Sequence, residues 1–131
     1  MNMDLHDKRK SHSLLISFSF ALTGILTAIK QERNMRIHLL SAGVVLIISF
    51  YFSITKTEWL IILFAIGGMF SLELINSAIE RVVDLASPEI HPLAKQAKDL
   101  AAGAVFVFAV LSFAAGVLIY FPYILKLLKY G

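Results

Sequence analysis

The stretch Leu100–Leu125, LAAGAVFVFAVLSFAAGVLIYFPYIL, contains no charged residue. A helix rises about 1.5 Å per residue, so about 20 apolar residues cross the hydrocarbon core of a bilayer. This stretch meets that length outright. Two further apolar runs, Leu39–Ile54 and Trp59–Leu72, are shorter. They reach spanning length when Met35 and Ile37 extend the first, and when the polar flanks Arg36–His38 and Glu73–Asn76 share one interface. Three transmembrane helices are therefore expected, at 35–54, 57–84 and 98–124. Pro removes a helix donor and disfavours helix just before it. Pro88 and Pro92 thus make Ser87–Pro92 a loop between the second and third spans.

Composition agrees. Of 131 residues, 58% are hydrophobic and 16% charged, against about 45–50% and about 25% in soluble domains. Mean hydropathy is +0.78. The length suits a single domain, 1–131. The chain has no Cys, which excludes a disulfide scaffold, a thiol nucleophile and Cys-ligated zinc. A net charge of +3, scattered through apolar sequence, gives no nucleic-acid footprint, so no nucleic-acid partner is expected.

The N-terminal third differs. Lys8, Arg9 and Lys10 lead into Leu14–Ile29, an apolar run interrupted by Ser17, Ser19, Thr23 and Thr27. A basic start before an apolar run resembles a signal peptide, but the following Thr27–Gln31 lacks an A-x-A pattern. The run is short for a comfortable crossing, and its hydroxyls with Lys30 suggest one more polar side. The expectation is an interfacial amphipathic helix within 1–31, apolar face down.

Positive charge sets the orientation. Of the 12 Lys and Arg, only Lys56, Lys126 and Lys129 fall on the far side of the three spans. The rest precede the first span or sit at 81–98. The N-terminus and the 81–98 loop are thus expected in the cytoplasm and the C-terminus outside. Tyr51, Trp59, Tyr120 and Tyr123 fit an aromatic belt at the outer interface.

Glu73, Asn76, Ser77, Glu80 and Asp84 follow an apolar span. At about 100° per residue, seven steps return to within about 20° of the start, and eleven to within about 40°. All five share one helix face. A carboxylate near hydrocarbon is expensive and needs a partner or a cavity. One reading is a cation or proton-transfer site at the cytoplasmic interface. The other is interhelical hydrogen bonding by acids that have left the membrane. The second suits Asp84 alone; the cost of buried charge favours the first for Glu73, Asn76 and Glu80 together.

Glu32, Arg33 and Arg36 sit at the mouth of the first span. Glu32 would either pair with Arg36 at i,i+4 or act as a metal ligand facing Glu80, since hard cations such as Mg²⁺ take carboxylate and phosphate oxygens. Lys98 and Asp99 open the third helix. A lysine is disfavoured at a helix start, which suggests an anionic partner such as phosphate. His38 reads as interfacial packing, and Gly67–Gly68 as packing within a span. Ala101–Ala104 and Ala114–Gly116 give small faces for close helix contact. A phosphate-binding G-x-x-x-x-G-K-[ST] loop and the H-R-D and D-F-G motifs of soluble kinases do not occur.

The run Glu73-Leu74-Ile75-Asn76-Ser77-Ala78-Ile79-Glu80, Val83-Asp84, and Ala97-Lys98-Asp99 followed by Ala101-Ala102 resemble the signature of the small prokaryotic diacylglycerol kinase family. Glu32-Arg33-Asn34, Arg36–Leu39, Ser87-Pro88-Glu89 and His91–Lys95 are similar to its undecaprenol kinase branch, typical of Gram-positive bacteria. The resemblance covers about Leu14 to Phe121. It implies a homotrimer in the bacterial cell membrane, with three transmembrane helices and a surface helix per subunit and active sites between subunits. It implies transfer of the γ-phosphate of MgATP to a lipid hydroxyl. Glu73 matches the catalytic base. Glu32 and Glu80 match the carboxylates that hold Mg²⁺ on ATP, and Asn76 the amide beside them. Lys98 and Asp99 match nucleotide contacts, and Glu89 and His91 lie in the nucleotide-contacting segment. Ser13, Phe20 and Ile90 depart from the enteric pattern, which has Arg, Tyr and Tyr there, so those contacts do not carry over; Arg9 or Lys10 would have to supply the charge missing at Ser13.

Undecaprenol is thus the expected acceptor, with diacylglycerol as the alternative. A non-enzymatic helical membrane oligomer, its acids lining a pore or joining helices, is the remaining possibility.

Overall fold

The computed structural model describes residues 14–89 and 91–130. Lys8, Arg9, Lys10, Ser13 and Ile90 lie outside them. Four α-helices follow one another: α1 Leu14–Gln31, α2 Arg33–Phe52, α3 Lys56–Ala86 and α4 Pro92–Tyr130. Each is long and apolar enough to cross a membrane by length and composition, α1 included.

Helix α1 has 18 residues and buries only Ala28. Its Ser19, Thr23 and Thr27 stand four residues apart and donate back to the carbonyls of Ile16, Ser19 and Thr23, each at 2.8 Å. A hydroxyl bonded to its own helix no longer needs water. The side read as polar from sequence is therefore less polar than its composition. One residue, Glu32, separates α1 from α2; its backbone is extended, with φ −97° and ψ 122°.

Helix α2 ends in a left-handed residue, Ser53, with φ 51° and ψ 50°. Its N–H donates to the Phe50 carbonyl at 3.1 Å, and the Ile54 N–H donates to Ser49 at 3.3 Å. This closes the last carbonyls of α2 and turns the chain back within three residues. Thr55 then caps α3. Its Oγ1 accepts from the Glu58 N–H at 3.3 Å. Glu58 Oε2 accepts from the Thr55 N–H at 2.7 Å and from its Oγ1 at 2.8 Å. The T-x-x-E spacing produces this reciprocal cap.

At about 1.5 Å per residue, α3 is roughly 46 Å long and α4 roughly 58 Å, so both continue past a hydrocarbon core of about 30 Å. Pro92 occupies the first turn of α4, where its missing N–H has no helical partner to lose. The α3–α4 pair is the most extensive in the chain. Phe108 presses on Gly68, where a Cβ would lie 2.3 Å from the ring. Gly67, Gly103 and Gly116 have no such neighbour within 4 Å. Gly68 therefore packs as expected, while a side chain added at Gly67, Gly103 or Gly116 would meet open space.

The core is thin. Ile54, Ile62 and Ile119 form its centre at the turn end, with Phe52, Trp59, Tyr120 and Tyr123 around them. Large apolar side chains such as Phe64, Leu85 and Phe113 remain exposed. Apolar exposure on this scale needs lipid or other protein to cover it.

Candidate functional site

The second half of α3 carries the acid face. Glu73, Asn76 and Ser77 are buried at 3%, 8% and 5% exposure. Glu80 is half-buried and Asp84 exposed. Burial thus declines along the face as the helix leaves the packed region.

The Glu73 side chain is 4% exposed, and its Oε1 lies 3.1 Å from His38 Nε2 on α2. His38 was expected to be interfacial packing. It is instead the polar partner of the most buried acid, and it keeps 26% of its side chain exposed. Asn76 donates through Nδ2 to Glu80 Oε1 at 3.0 Å. Its Oδ1 is buried without any hydrogen bond. An unsatisfied buried acceptor costs about 1–3 kcal/mol, so this amide holds an open bonding position at the centre of the acid face.

Glu32 does not pair with Arg36. As N-cap of α2 its carbonyl still accepts from the Arg36 N–H at 3.4 Å, but its φ and ψ are extended rather than helical, and its side chain pairs with α3 instead of Arg36. Arg36 Nη1 donates to the Lys30 carbonyl at 3.1 Å. Glu32 Oε1 accepts from Arg81 Nη2 at 2.9 Å, and Gln31 Oε1 accepts from the same nitrogen at 3.0 Å. Arg81 follows Glu80 in sequence but stands about 100° from it round the helix, so this contact ties Glu32 to α3 beside the acid face rather than on it. Nothing in the spacing of Arg81 had singled it out.

Mg²⁺ commonly takes one or two protein carboxylates and fills its shell with phosphate and water oxygens. Glu32 and Glu80 carry carboxylates of the kind that could contribute to such a shell, Glu32 bonded to Arg81 and Glu80 to Asn76. Among the described residues no three His, Asp or Glu gather to hold a metal by themselves, so such a shell would need phosphate oxygens.

The remaining candidates cluster where α3 passes into α4. A cavity of about 290 Å³ is lined by Asp84, Ser87, Glu89, His91, Lys95 and Lys98, among others. Lys98 Nζ lies 2.5 Å from Asp84 Oδ1. Asp99 is outside that lining and pairs with Lys95. His91 caps α4, its Nδ1 accepting from the Leu93 N–H at 3.2 Å. The Glu89 carbonyl accepts from Ser87 Oγ at 3.1 Å, and Glu89 itself is exposed. Phe20 is on α1 and 61% exposed.

The profile of the prokaryotic diacylglycerol kinase family matches residues 19–120. The chain belongs to this family. Over 121 residues it is 50% identical to undecaprenol kinase of Bacillus subtilis (strain 168), which spans 92% of this chain and 98% of that protein. It is 34% identical over 117 residues to diacylglycerol kinase of Synechocystis, spanning 88% of this chain and 67% of the relative. It is 33% identical over 94 residues to diacylglycerol kinase of Haemophilus influenzae, spanning 72% and 80%. The all-helical architecture and its apolar helices fit a membrane protein of this family.

Proposed function

We propose that this chain is an ATP-dependent lipid kinase. It transfers the γ-phosphate of MgATP to undecaprenol and so supplies undecaprenyl phosphate for cell-envelope synthesis. The observation that carries this is Glu73, a carboxylate buried on an apolar helix with Asn76 and Glu80 on the same face. Half identity to an undecaprenol kinase over nearly its whole length supports the choice of acceptor.

Phosphoryl transfer asks mainly for positioning and charge neutralisation. Glu73 accepts the proton of the lipid hydroxyl as that oxygen bonds to the γ-phosphorus and the bond to the β-phosphate oxygen breaks, releasing ADP. Asn76, with its free acceptor, orients a donor beside that reaction. Lys98 leaves Asp84 to neutralise phosphate oxygens, and Glu89, His91 and Asp99 contact the nucleotide. Mg²⁺ held by Glu32 and Glu80 would neutralise the charge that develops on the phosphates.

The same proposal places α1 on the membrane surface and α2–α4 across it, with the acid face towards the cytoplasm. It assembles the chain as a homotrimer with active sites between subunits. The unengaged glycines of α4, Gly103 and Gly116, support close approach by another helix.

The test is phosphate transfer from labelled ATP by purified protein in mixed micelles, with undecaprenol and diacylglycerol offered separately. Preference for undecaprenol is expected. Preference for diacylglycerol would keep the mechanism and change the substrate. No transfer to either would reject the kinase reading. Glu80→Ala should raise the Mg²⁺ concentration needed for half-maximal turnover.

A further inference from the structure

We propose that His38 is the positioning residue for the general base: its Nε2–H holds Oε1 of Glu73, so that Oε2 faces the lipid hydroxyl. This rests on the proposed role of Glu73.

With 4% of its side chain exposed, the Glu73 carboxylate has little access to water, so its direction is set by donors from the protein. The bond the structure provides comes from His38, 3.1 Å from Oε1. Three nearby nitrogen donors are engaged elsewhere: Asn76 Nδ2 on Glu80, Lys98 on Asp84 and Arg81 on Glu32. His38 therefore stands as the donor from a second helix that fixes the carboxylate plane. A carboxylate whose plane is fixed by one oxygen presents the other in a defined direction, the requirement for proton transfer from a positioned alcohol.

The assignment separates orientation from binding. His38 touches neither Glu32 nor Glu80, nor the cavity at Glu89, His91 and Lys98. Its loss should slow the chemical step and leave nucleotide binding alone.

The experiment is steady-state kinetics of the full chain in mixed micelles, for wild type, His38→Ala, His38→Gln and Glu73→Gln. His38→Ala should lower kcat by about tenfold or more, with KM for ATP within about twofold of wild type. His38→Gln keeps an N–H donor and should recover much of that loss. Wild-type kcat in His38→Ala, or equal loss in both His38 variants, overturns the proposal. Activity retained in Glu73→Gln would instead reject the base itself, whatever the His38 variants show. Should the His38 variants fail to assemble, ¹⁵N spectra of the His38 ring in otherwise intact protein decide. The Nε2 signal should be that of a protonated nitrogen and should shift in Glu73→Gln. An unchanged ring spectrum overturns the proposal.

Discussion

The two ends of the α3–α4 pair are built on opposite terms. At the Ser53–Glu58 turn, polar groups find partners. Ser49, fully buried, lies 2.6 Å from the Tyr120 hydroxyl and donates to the Val45 carbonyl at 2.8 Å. Tyr123 donates to Glu58 at 2.8 Å, which closes the cap of α3 onto α4. Phe50 packs tilted against Trp59 at 4.8 Å between ring centroids, and Phe52 stacks on Tyr123 at 5.6 Å. At the other end a buried acid depends on one half-exposed histidine, and a buried amide oxygen has no partner. Folding alone would not select such an arrangement. One end pairs its polar groups within the chain, and the other leaves a buried amide oxygen with its bonding capacity unused.

That contrast can be broken in order of effect. Glu73→Gln should lower turnover by about 10²–10⁴-fold while the protein elutes as the same assembly; an active variant would remove the functional reading of that end. Asn76→Leu should also abolish transfer, yet leave thermal stability in detergent equal or higher, because an unpaired buried acceptor is lost. A large fall in its melting temperature would mean that the amide serves the fold. Gly68→Val should cost about 1–3 kcal/mol by driving Cβ into the Phe108 ring, measured by denaturant unfolding in micelles. Tyr120→Phe removes a hydroxyl contact at the satisfied end and should cost about 1 kcal/mol with activity kept. Ser53→Gly should give a small gain, below about 1 kcal/mol, by relieving a left-handed residue.

The sequence made the acid face legible because its residues repeat on one helix, where spacing alone dictates which side chains stand together. It made the apolar helices legible because their charge-free lengths are set by the chain itself. His38 was not legible. Its partner lies on another helix, and no local period links the two positions. Of the two readings of Glu32, the pairing with Arg36 does not occur, because Glu32 is the extended N-cap of α2 and its side chain meets Arg81 on another helix. Tyr120 and Tyr123 read as interfacial anchors, yet their hydroxyls are committed to Ser49 and Glu58 through the pairing of α4 with its neighbours. In each case the missing information was tertiary.

The cap at Thr55 has a consequence for depth. Glu73 follows it by 18 positions on a continuous helix, or about 27 Å along the axis. That is close to the thickness of a bilayer's apolar interior, about 30 Å. In the proposed orientation, with its far end pinned, α3 would act as a ruler that sets the carboxylate at the headgroup level, where the hydroxyl of a long-chain alcohol would lie. The enzyme proposed here would meet its substrate without lifting it from the lipid. Its rate should then follow bilayer thickness, falling in membranes that carry the hydroxyl above or below that mark.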